Sequence, residues 1–493
     1  MRQLSGLDAT FLHMETPTTF GHVSGLALYS RPTPEFDPYA TVFKRFEALA
    51  GHVGPLHQKL HSVPFGLDHP YWVADENFDL EYHVRHLGLA PPGSEEQLSE
   101  QVARIFGRPL DRSRPLWEVY VIEGLADGRW ALMTKFHHSS IDGGAGVVLL
   151  NMFTDTTPNA EEDWDSVPIP REKAPNEAEM LRTAVTKLAT NPVKSLRLQL
   201  RLMQGMADSL GLTSASRITR TVRSTVRSVT RRPDLDRPTA AQRVRLPITP
   251  APATPWNRTI TAHRRFAMRS SSLETLKELK TASGGTVNDI VMAICTGALR
   301  TYLLKHGALP DRPLRAMVPV SFRTGEEEVP WTNMVSGIVA DLPTNCDDPV
   351  ERVRLCHEAM EDAKRQFELI PADAIAEGAQ ATSPLLATAA TRLASSLRWA
   401  DRANVLPTNV VISNVPGPRA PLYLGAARME NYIPLSIVTD GMGLNITVHS
   451  YLDRLDFGLI ACRELVPDLW DLLDMHFQEM ETLCMAFGVG HRS

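Results

Sequence analysis

Short alternating apolar segments and helix-like stretches occur twice along this chain, once on each side of a compositionally different middle, and this doubling restricts the fold more than any other feature. Residues 1 to about 165 mix strand patterns such as Gly25 to Tyr29 and Leu116 to Ile122 with a helical pattern at Glu95 to Ile105. From about residue 258 the mixture returns, with a helix from Asp289 to about Lys305 and strands at Leu314 to Val320, Val410 to Ser413 and Leu444 to Ser450. The simplest account is two α+β halves of similar size, 1–165 and 258–493, joined by a segment 166–257. With 493 residues, 43% of them hydrophobic, the chain has enough apolar side chains for two cores.

The middle segment opens with an acidic, proline-bearing stretch from Glu161 to Pro175 that reads as an exposed linker. From Leu181 to Arg245 the charge turns basic, densest at Arg217, Arg220, Arg223, Arg227, Arg231 and Arg232. On a helix, Ile218, Val222, Val226 and Val229 share one sector and most of these arginines lie opposite. Two readings are open. Such a helix lies on anionic lipid, each nearby cation contributing about 1 kcal/mol, or it packs as a connection with its arginines solvated.

A formal charge of −6 and a pI near 6.3 give no reason to expect nucleic acid as a partner. Five scattered cysteines, Cys295, Cys346, Cys356, Cys462 and Cys484, read as free thiols of a reducing compartment. The N-terminus lacks the apolar core of a signal peptide, and no stretch offers about 18 uncharged apolar residues for a membrane span. A cytoplasmic protein that is not secreted is therefore expected, one that meets any lipid substrate at a membrane surface. Phosphate-binding and dinucleotide fingerprints, HExxH, CxxC pairs and a GxSxG elbow are absent from the sequence, so neither a cofactor nor a metal is expected.

The segment with most chemistry in it is Phe136-His137-His138-Ser139-Ser140-Ile141-Asp142-Gly143. Trp130, Leu132 and Thr134 alternate with Ala131, Met133 and Lys135, which predicts a half-buried strand running into the two histidines. Neighbouring side chains on a strand point to opposite faces, so His137 and His138 cannot do the same work or share one metal ion. Asp142 can turn back after a tight segment, and Gly143, Gly144 and Gly146 allow a close reversal before a helix starting near Val147. A neutral imidazole with a pKa near 6.5 suits removal of a proton from an alcohol or amine attacking an activated acyl group.

Together with other motifs, this segment resembles the bacterial wax ester synthase/acyl-CoA:diacylglycerol acyltransferases, and within them the actinobacterial triacylglycerol synthase branch. The resemblance runs along nearly the whole chain: Leu4 to Ala9 with Phe11-Leu12, Arg114-Pro115-Leu116-Trp117-Glu118, the HHSSIDG run, Thr286-Val287-Asn288-Asp289, Val318 to Arg323, Asn333-Met334 and Ser413 to Pro418. It implies two chloramphenicol-acetyltransferase-like domains of α+β (α/β sandwich) type, with the active-site channel between them. It implies long-chain acyl-CoA as co-substrate, diacylglycerol or a fatty alcohol as acceptor, and work at the inner face of the membrane or the surface of a lipid inclusion.

The resemblance also implies roles for particular residues. His138 is the general base, with His137 the alternative. Asp142 holds the loop, with Arg323 a candidate partner. Asn288 supplies an oxyanion donor or organises the channel, although Thr286 and Asn288 are also the residue types of a helix N-cap. His137, Gly143, Pro115, Leu116 and Trp117 are expected near bound substrate, Trp117 being equally suited to packing in the core. Gly417, between two prolines, marks a rigid turn, and Cys295 in an apolar helical pattern reads as an inert buried thiol. Two other readings stay open: a condensation-type enzyme using carrier-protein thioesters, and a non-catalytic lipid-binding protein of the same fold.

Overall fold

The strand that leads into the two histidines is buried along its whole length, on both faces. The computed structural model describes residues 2–141, 150–160, 167–170, 175–190, 250–321, 335–368, 384–402 and 406–490. In the first half the strands are β1 (Arg2–Gln3), β2 (His22–Tyr29), β3 (Gln58–His61), β4 (Tyr71–Ala74), β5 (Val84–Gly88), β6 (Trp117–Glu123) and β7 (Trp130–His137). The second half contains β8 (Arg264–Ser272), β9 (Leu314–Ser321), β10 (Val335–Leu342), β11 (Val410–Val415), β12 (Tyr423–Leu424), β13 (Ala427–Leu435), β14 (Leu444–Tyr451) and β15 (Arg454–Cys462). The strands expected at Gly25, Leu116, Leu314, Val410 and Leu444 and the helices expected at Glu95 and Asp289 all form, with bounds shifted by a few residues.

The expectation that β7 is half-buried is not met. β7 sits inside a six-stranded sheet of order β12-β13-β2-β7-β6-β5, paired antiparallel with β2 and with β6. One face packs on the helix Pro38–Ala50 through Val42, Phe46 and Leu49, beneath Trp117, Trp130 and Leu132. The other packs Ala131 and Met133 against the helix Glu95–Phe106 and against Phe266 and Met268 of the second half. Lys135 therefore has no exposed surface, and burial pulls its ammonium down to about 8 against the opposing charge of Glu118. Three acceptors hold it: the carbonyls of Ile105 at 3.2 Å and Arg108 at 2.7 Å, and Glu118 Oε2 at 3.3 Å. Polar residues on this strand signal internal partners and not a solvent-facing side.

The second six-stranded sheet has the order β10-β9-β11-β14-β15-β8, parallel only where β11 meets β9 and β14. Its apolar face is covered by the helices Val287–Lys305, Pro349–Glu368 and Leu469–Phe487. Among the described residues, Val287–Lys305 is the one helix long and apolar enough to cross a membrane, and here it is a core helix whose residues are mostly buried. A small third sheet pairs β1 and β3 with β4. The result is an α+β architecture of two mixed sheets with helices.

Chain halves and sheets differ in one place. Residues 423–435 fall in the half taken as 258–493, yet β12 and β13 complete the first sheet, with β13 pairing β2 from Met429↔Tyr29 to Leu435↔Ser24. The crossing strand is fixed by Asp456 of β15, which is fully buried. Its Oδ2 accepts from the Tyr432 amide at 2.9 Å, its Oδ1 accepts from Asn431 Nδ2 at 3.1 Å, and Ser270 of β8 donates to it as well. Asn431 returns to the first half by accepting from Arg129 Nη1 at 3.1 Å. Replacing Asp456 by Ala leaves the Tyr432 amide and the Asn431 amide group short of an acceptor. We expect a loss of about 2–4 kcal/mol in urea denaturation, since each buried orphan costs about 1–3 kcal/mol. Loss below about 0.5 kcal/mol would show that the joint does not depend on this carboxylate.

Candidate active site

At the end of β7 the backbone is held from both sides. His137 N–H donates to the Leu116 carbonyl at 2.9 Å, and His138 N–H donates to the Gly21 carbonyl at 2.7 Å. The chain then turns tightly, with the His137 carbonyl accepting from Ser140 N–H at 2.9 Å and from Ser140 Oγ at 2.7 Å. Pairing with β2 ends at His22↔His137, so the strand's alternation places the two histidine side chains in different surroundings.

His137 is buried and both of its ring nitrogens are engaged. Nδ1 accepts from the Ser139 amide at 3.1 Å and lies 2.7 Å from Ser139 Oγ. With Nδ1 an acceptor, Nε2 carries the proton and donates to Glu15 Oε1 at 3.1 Å, a tautomer assigned from this network. Glu15 Oε1 also accepts from the Gly21 amide at 2.8 Å, and its Oε2 accepts from Arg112 at 3.0 Å (Nε) and 2.5 Å (Nη2). Burial alone would raise the Glu15 carboxyl. The contacts with His137, the Arg112 charge and the Gly21 amide outweigh it and hold the group at about 2. Gly21 has no room for a side chain, because a Cβ there would sit 2.6 Å from the Phe11 carbonyl and 2.7 Å from His137 Nε2.

His138 follows on the opposite side of the pleat. Its ring is half-buried and stacks flat on Phe11, with centroids 3.9 Å apart and planes 8° from parallel. Phe11 is presented by the helix Gly6–His13, whose start is fixed by a reciprocal cap: the Asp8 amide donates to Ser5 Oγ at 3.1 Å and the Ser5 amide to Asp8 Oδ2 at 3.4 Å. The Ser-x-x-Asp spacing could have been read from the sequence. Glu15 and Arg112 could not, being 122 and 25 residues from His137 with no motif to connect them.

Asp142, Gly143 and Arg323, with the helix expected near Val147 and the Arg217 to Arg232 stripe, lie outside the described residues. Asn288 is described, and it is not the N-cap. Thr286 caps the helix Val287–Lys305 in a box with Asp289, and Asn288 Oδ1 accepts from Asn414 Nδ2 of β11 at 3.4 Å. This bond connects two of the motifs, Thr286 to Asp289 and Ser413 to Pro418.

Pro115, Leu116 and Trp117 are buried, and Trp117 packs in the core instead of lining a surface. Its indole N–H donates to the Leu56 carbonyl at 2.8 Å, and its ring lies between His83 (4.4 Å) and Phe46 (5.3 Å). Leu116 packs with Leu4, Leu12 and Trp72. The motif nonetheless serves the site, since the Leu116 carbonyl holds the His137 amide. Gly417 allows its turn to lie against β14, where a Cβ would come within 2.1 Å of the His449 ring and of the Ser450 carbonyl. Cys295 is buried, and burial pushes its thiol well above the ordinary range. Among the described residues no cluster of three or more His, Cys, Asp or Glu could hold a metal ion.

Comparison with known proteins gives this geometry a family. The wax ester synthase/diacylglycerol acyltransferase catalytic domain matches residues 4–291, and the WS/DGAT C-terminal domain matches residues 331–483. The chain belongs to the wax ester synthase/diacylglycerol acyltransferase family. A Mycobacterium tuberculosis protein named as a probable diacylglycerol O-acyltransferase, tgs2, is 35% identical over 488 residues, 98% of each chain. The structure of the wax ester synthase/diacylglycerol acyltransferase from Marinobacter aquaeolei VT8 is 31% identical, with a TM-score of 0.67 over 99% of this chain and 100% of that one. The first condensation domain of the calcium-dependent antibiotic synthetase covers 100% of this chain and 98% of its own at a TM-score of 0.56. At 14% identity it shares the fold alone.

In this WS/DGAT chain the depressed Glu15 carboxyl predicts a pH signature. A carboxylate held at about 2 when folded, against 4.5 unfolded, stabilises the fold fully above pH 4.5 and loses that contribution as pH falls toward 2. Glu15→Gln is expected to cost on the order of 3 kcal/mol at neutral pH by denaturant titration. The gap from wild type should close between about pH 4.5 and 2. A gap that stays constant over that range would show that the contacts, and not the charge, hold the site together.

Proposed function

We propose that this protein transfers a long-chain acyl group from acyl-CoA to the free hydroxyl of diacylglycerol, forming triacylglycerol, with long-chain alcohols as second acceptors, and that His138 is the general base. As a WS/DGAT member the chain is an acyltransferase. The observation that carries the assignment of the base is the commitment of both His137 nitrogens, one to Ser139 and one to Glu15, at a strand end where the His138 ring lies against Phe11.

The chemistry needs only one proton carrier. His138 takes the hydroxyl proton as the acceptor oxygen attacks the thioester carbonyl carbon, a tetrahedral oxyanion forms, and the C–S bond breaks. The proton then passes to the departing thiolate, which leaves as CoA. No acyl-enzyme is required because the thioester arrives activated. Glu15, Arg112 and Ser139 act as positioning residues by locking His137, the residue on which the turn is built. Asn288, held by Asn414, is the candidate to aim a donor at the oxyanion or to order the channel. Asp142, with Arg323 as its candidate partner, is assigned to holding the loop. We place the protein in the cytoplasm, attached peripherally to the inner membrane face or to lipid inclusions, where both substrates gather. No bound cofactor takes part in this scheme.

The test is CoA-thiol release by purified protein from a long-chain acyl-CoA, with diacylglycerol, a fatty alcohol or no acceptor added and the products identified by mass. His138→Ala is expected to lower acceptor-dependent release by about 10²- to 10⁴-fold with the fold intact. Near-full turnover in that variant would overturn the assignment of the base. A carrier-protein thioester used in preference to acyl-CoA would favour the condensation-type reading, and no release with any donor would favour a binding protein.

A further inference from the structure

The helix Pro384–Ser396 packs against the helix Gly6–His13, with Thr388 Oγ1 3.2 Å from His13 Nδ1, and against the turn Pro64–Gly66. Its outer side is apolar where water would favour polar residues: Leu385 and Leu393 are exposed, as is Leu397 just beyond the helix. Between residues 384 and 400 there is no acidic residue, Arg392 is exposed, and the exposed Arg398 pairs with Asp401 at 2.8 Å. The turn adds Phe65, 79% exposed, and Leu67. Phe65 holds φ +60° and is followed by Gly66 at +62°. That conformation is unfavourable for a bulky side chain, and the phenyl ring gains no burial from it within the protein. On the other side of the turn, the helix Glu177–Thr190 buries Met180 and Ala184 against Val63 and exposes Val185 beside Arg182.

We propose that this surface, formed by the turn at Phe65, the outer face of Pro384–Ser396 with Leu397, and Val185, is where the protein docks on a lipid bilayer containing anionic phospholipid. Exposed leucines beside arginines, on a helix free of carboxylates, match an apolar interior under an anionic headgroup layer. The protruding phenyl has a fitting environment only in a medium that is apolar outside the protein. The face is continuous, through Gly6–His13, with the ring of Phe11 on which His138 stacks, so docking here brings the bilayer to the side of the molecule that carries the candidate base. The Arg217 to Arg232 stripe plays no part in this inference. It deepens the proposed function, because it takes the acceptor to be a lipid delivered from that bilayer.

The experiment uses the full chain and phosphatidylcholine vesicles with and without phosphatidylglycerol, binding being read by co-sedimentation. Wild type should bind, and more tightly when phosphatidylglycerol is present. The triple variant Phe65→Asn, Leu393→Ser, Leu397→Ser should lose about tenfold or more in apparent affinity for both vesicles at an unchanged melting temperature. Asn tolerates the backbone conformation at position 65. The double variant Arg182→Gln, Arg392→Gln should lose the response to phosphatidylglycerol while retaining binding to the neutral vesicles. Turnover on diacylglycerol in vesicles should fall in the triple variant while turnover on octanol dissolved in water is retained.

Wild-type binding by the triple variant would overturn the proposal. So would light scattering that shows a wild-type dimer which the triple variant dissociates without any change in vesicle binding, because the face would then join two copies. If wild type turns over neither acceptor, the acyltransfer reading fails while the binding measurements still decide the docking surface.

Discussion

The hydrogen bond from His137 to Glu15 is the interaction on which the candidate site depends. A buried imidazole N–H without an acceptor costs free energy, and without Glu15 one side of His137 would be orphaned at the end of a central strand. The carboxylate stays charged in that position because His137, Arg112 and the Gly21 amide share it. Gly21 in turn must lack a side chain for the two segments to approach, and its carbonyl anchors the His138 backbone. One closed set of contacts thus fixes where β7 stops, and the next residue is the first whose side chain can face away from the core. The two histidines have different surroundings for a reason of geometry, which is the pleat of the strand, and His137 for a further reason, which is the carboxylate.

The second constraint is the sharing of strands between halves. β13 comes from the second half in sequence and pairs with β2 in the first sheet, while Asp456, on β15 of the second sheet, accepts from its backbone and from Asn431. A buried carboxylate with three donors is a directional joint, and it holds the two sheets in one arrangement where apolar contact alone would allow sliding.

Much of the fold was visible in residue patterns, because the period of apolar residues reports which face is buried. That rule located most of the strands and both long helices it was applied to. It failed for β7, where Thr134 and Lys135 look solvent-facing and are not: the acceptors that make Lys135 tolerable inside, the carbonyls of Ile105 and Arg108, come from another element and leave no trace in the local sequence. The crossing of β12 and β13 was invisible for the same reason, since nothing within residues 423–435 names β2 as their partner. At the site, strand alternation was enough to expect different surroundings for the two histidines, and the structure has His137 bonded to Ser139 and Glu15 and His138 stacked on Phe11. Phe11 was noticed only as part of a motif, and Glu15 not at all. At Asn288 the residue type suggested a cap, yet Thr286 and Asp289 form the cap and free Asn288 to bond Asn414.

The likeness to a condensation domain at 14% identity separates what the fold supplies from what the sequence adds. At that identity the shared part is the frame of two sheets, and no chemistry follows from it. What such a frame does not determine is how the acyl acceptor arrives. A carrier-bound or dissolved acceptor needs only a polar entrance. A diacylglycerol has almost no concentration in water, so an enzyme using it gains rate by lowering the cost of moving the lipid out of the bilayer. Exposed Phe65, Leu393 and Leu397 contribute nothing to the core of this protein, and their placement beside the helix that carries Phe11 is understandable if that transfer, and not the proton step, is what this surface was shaped to assist.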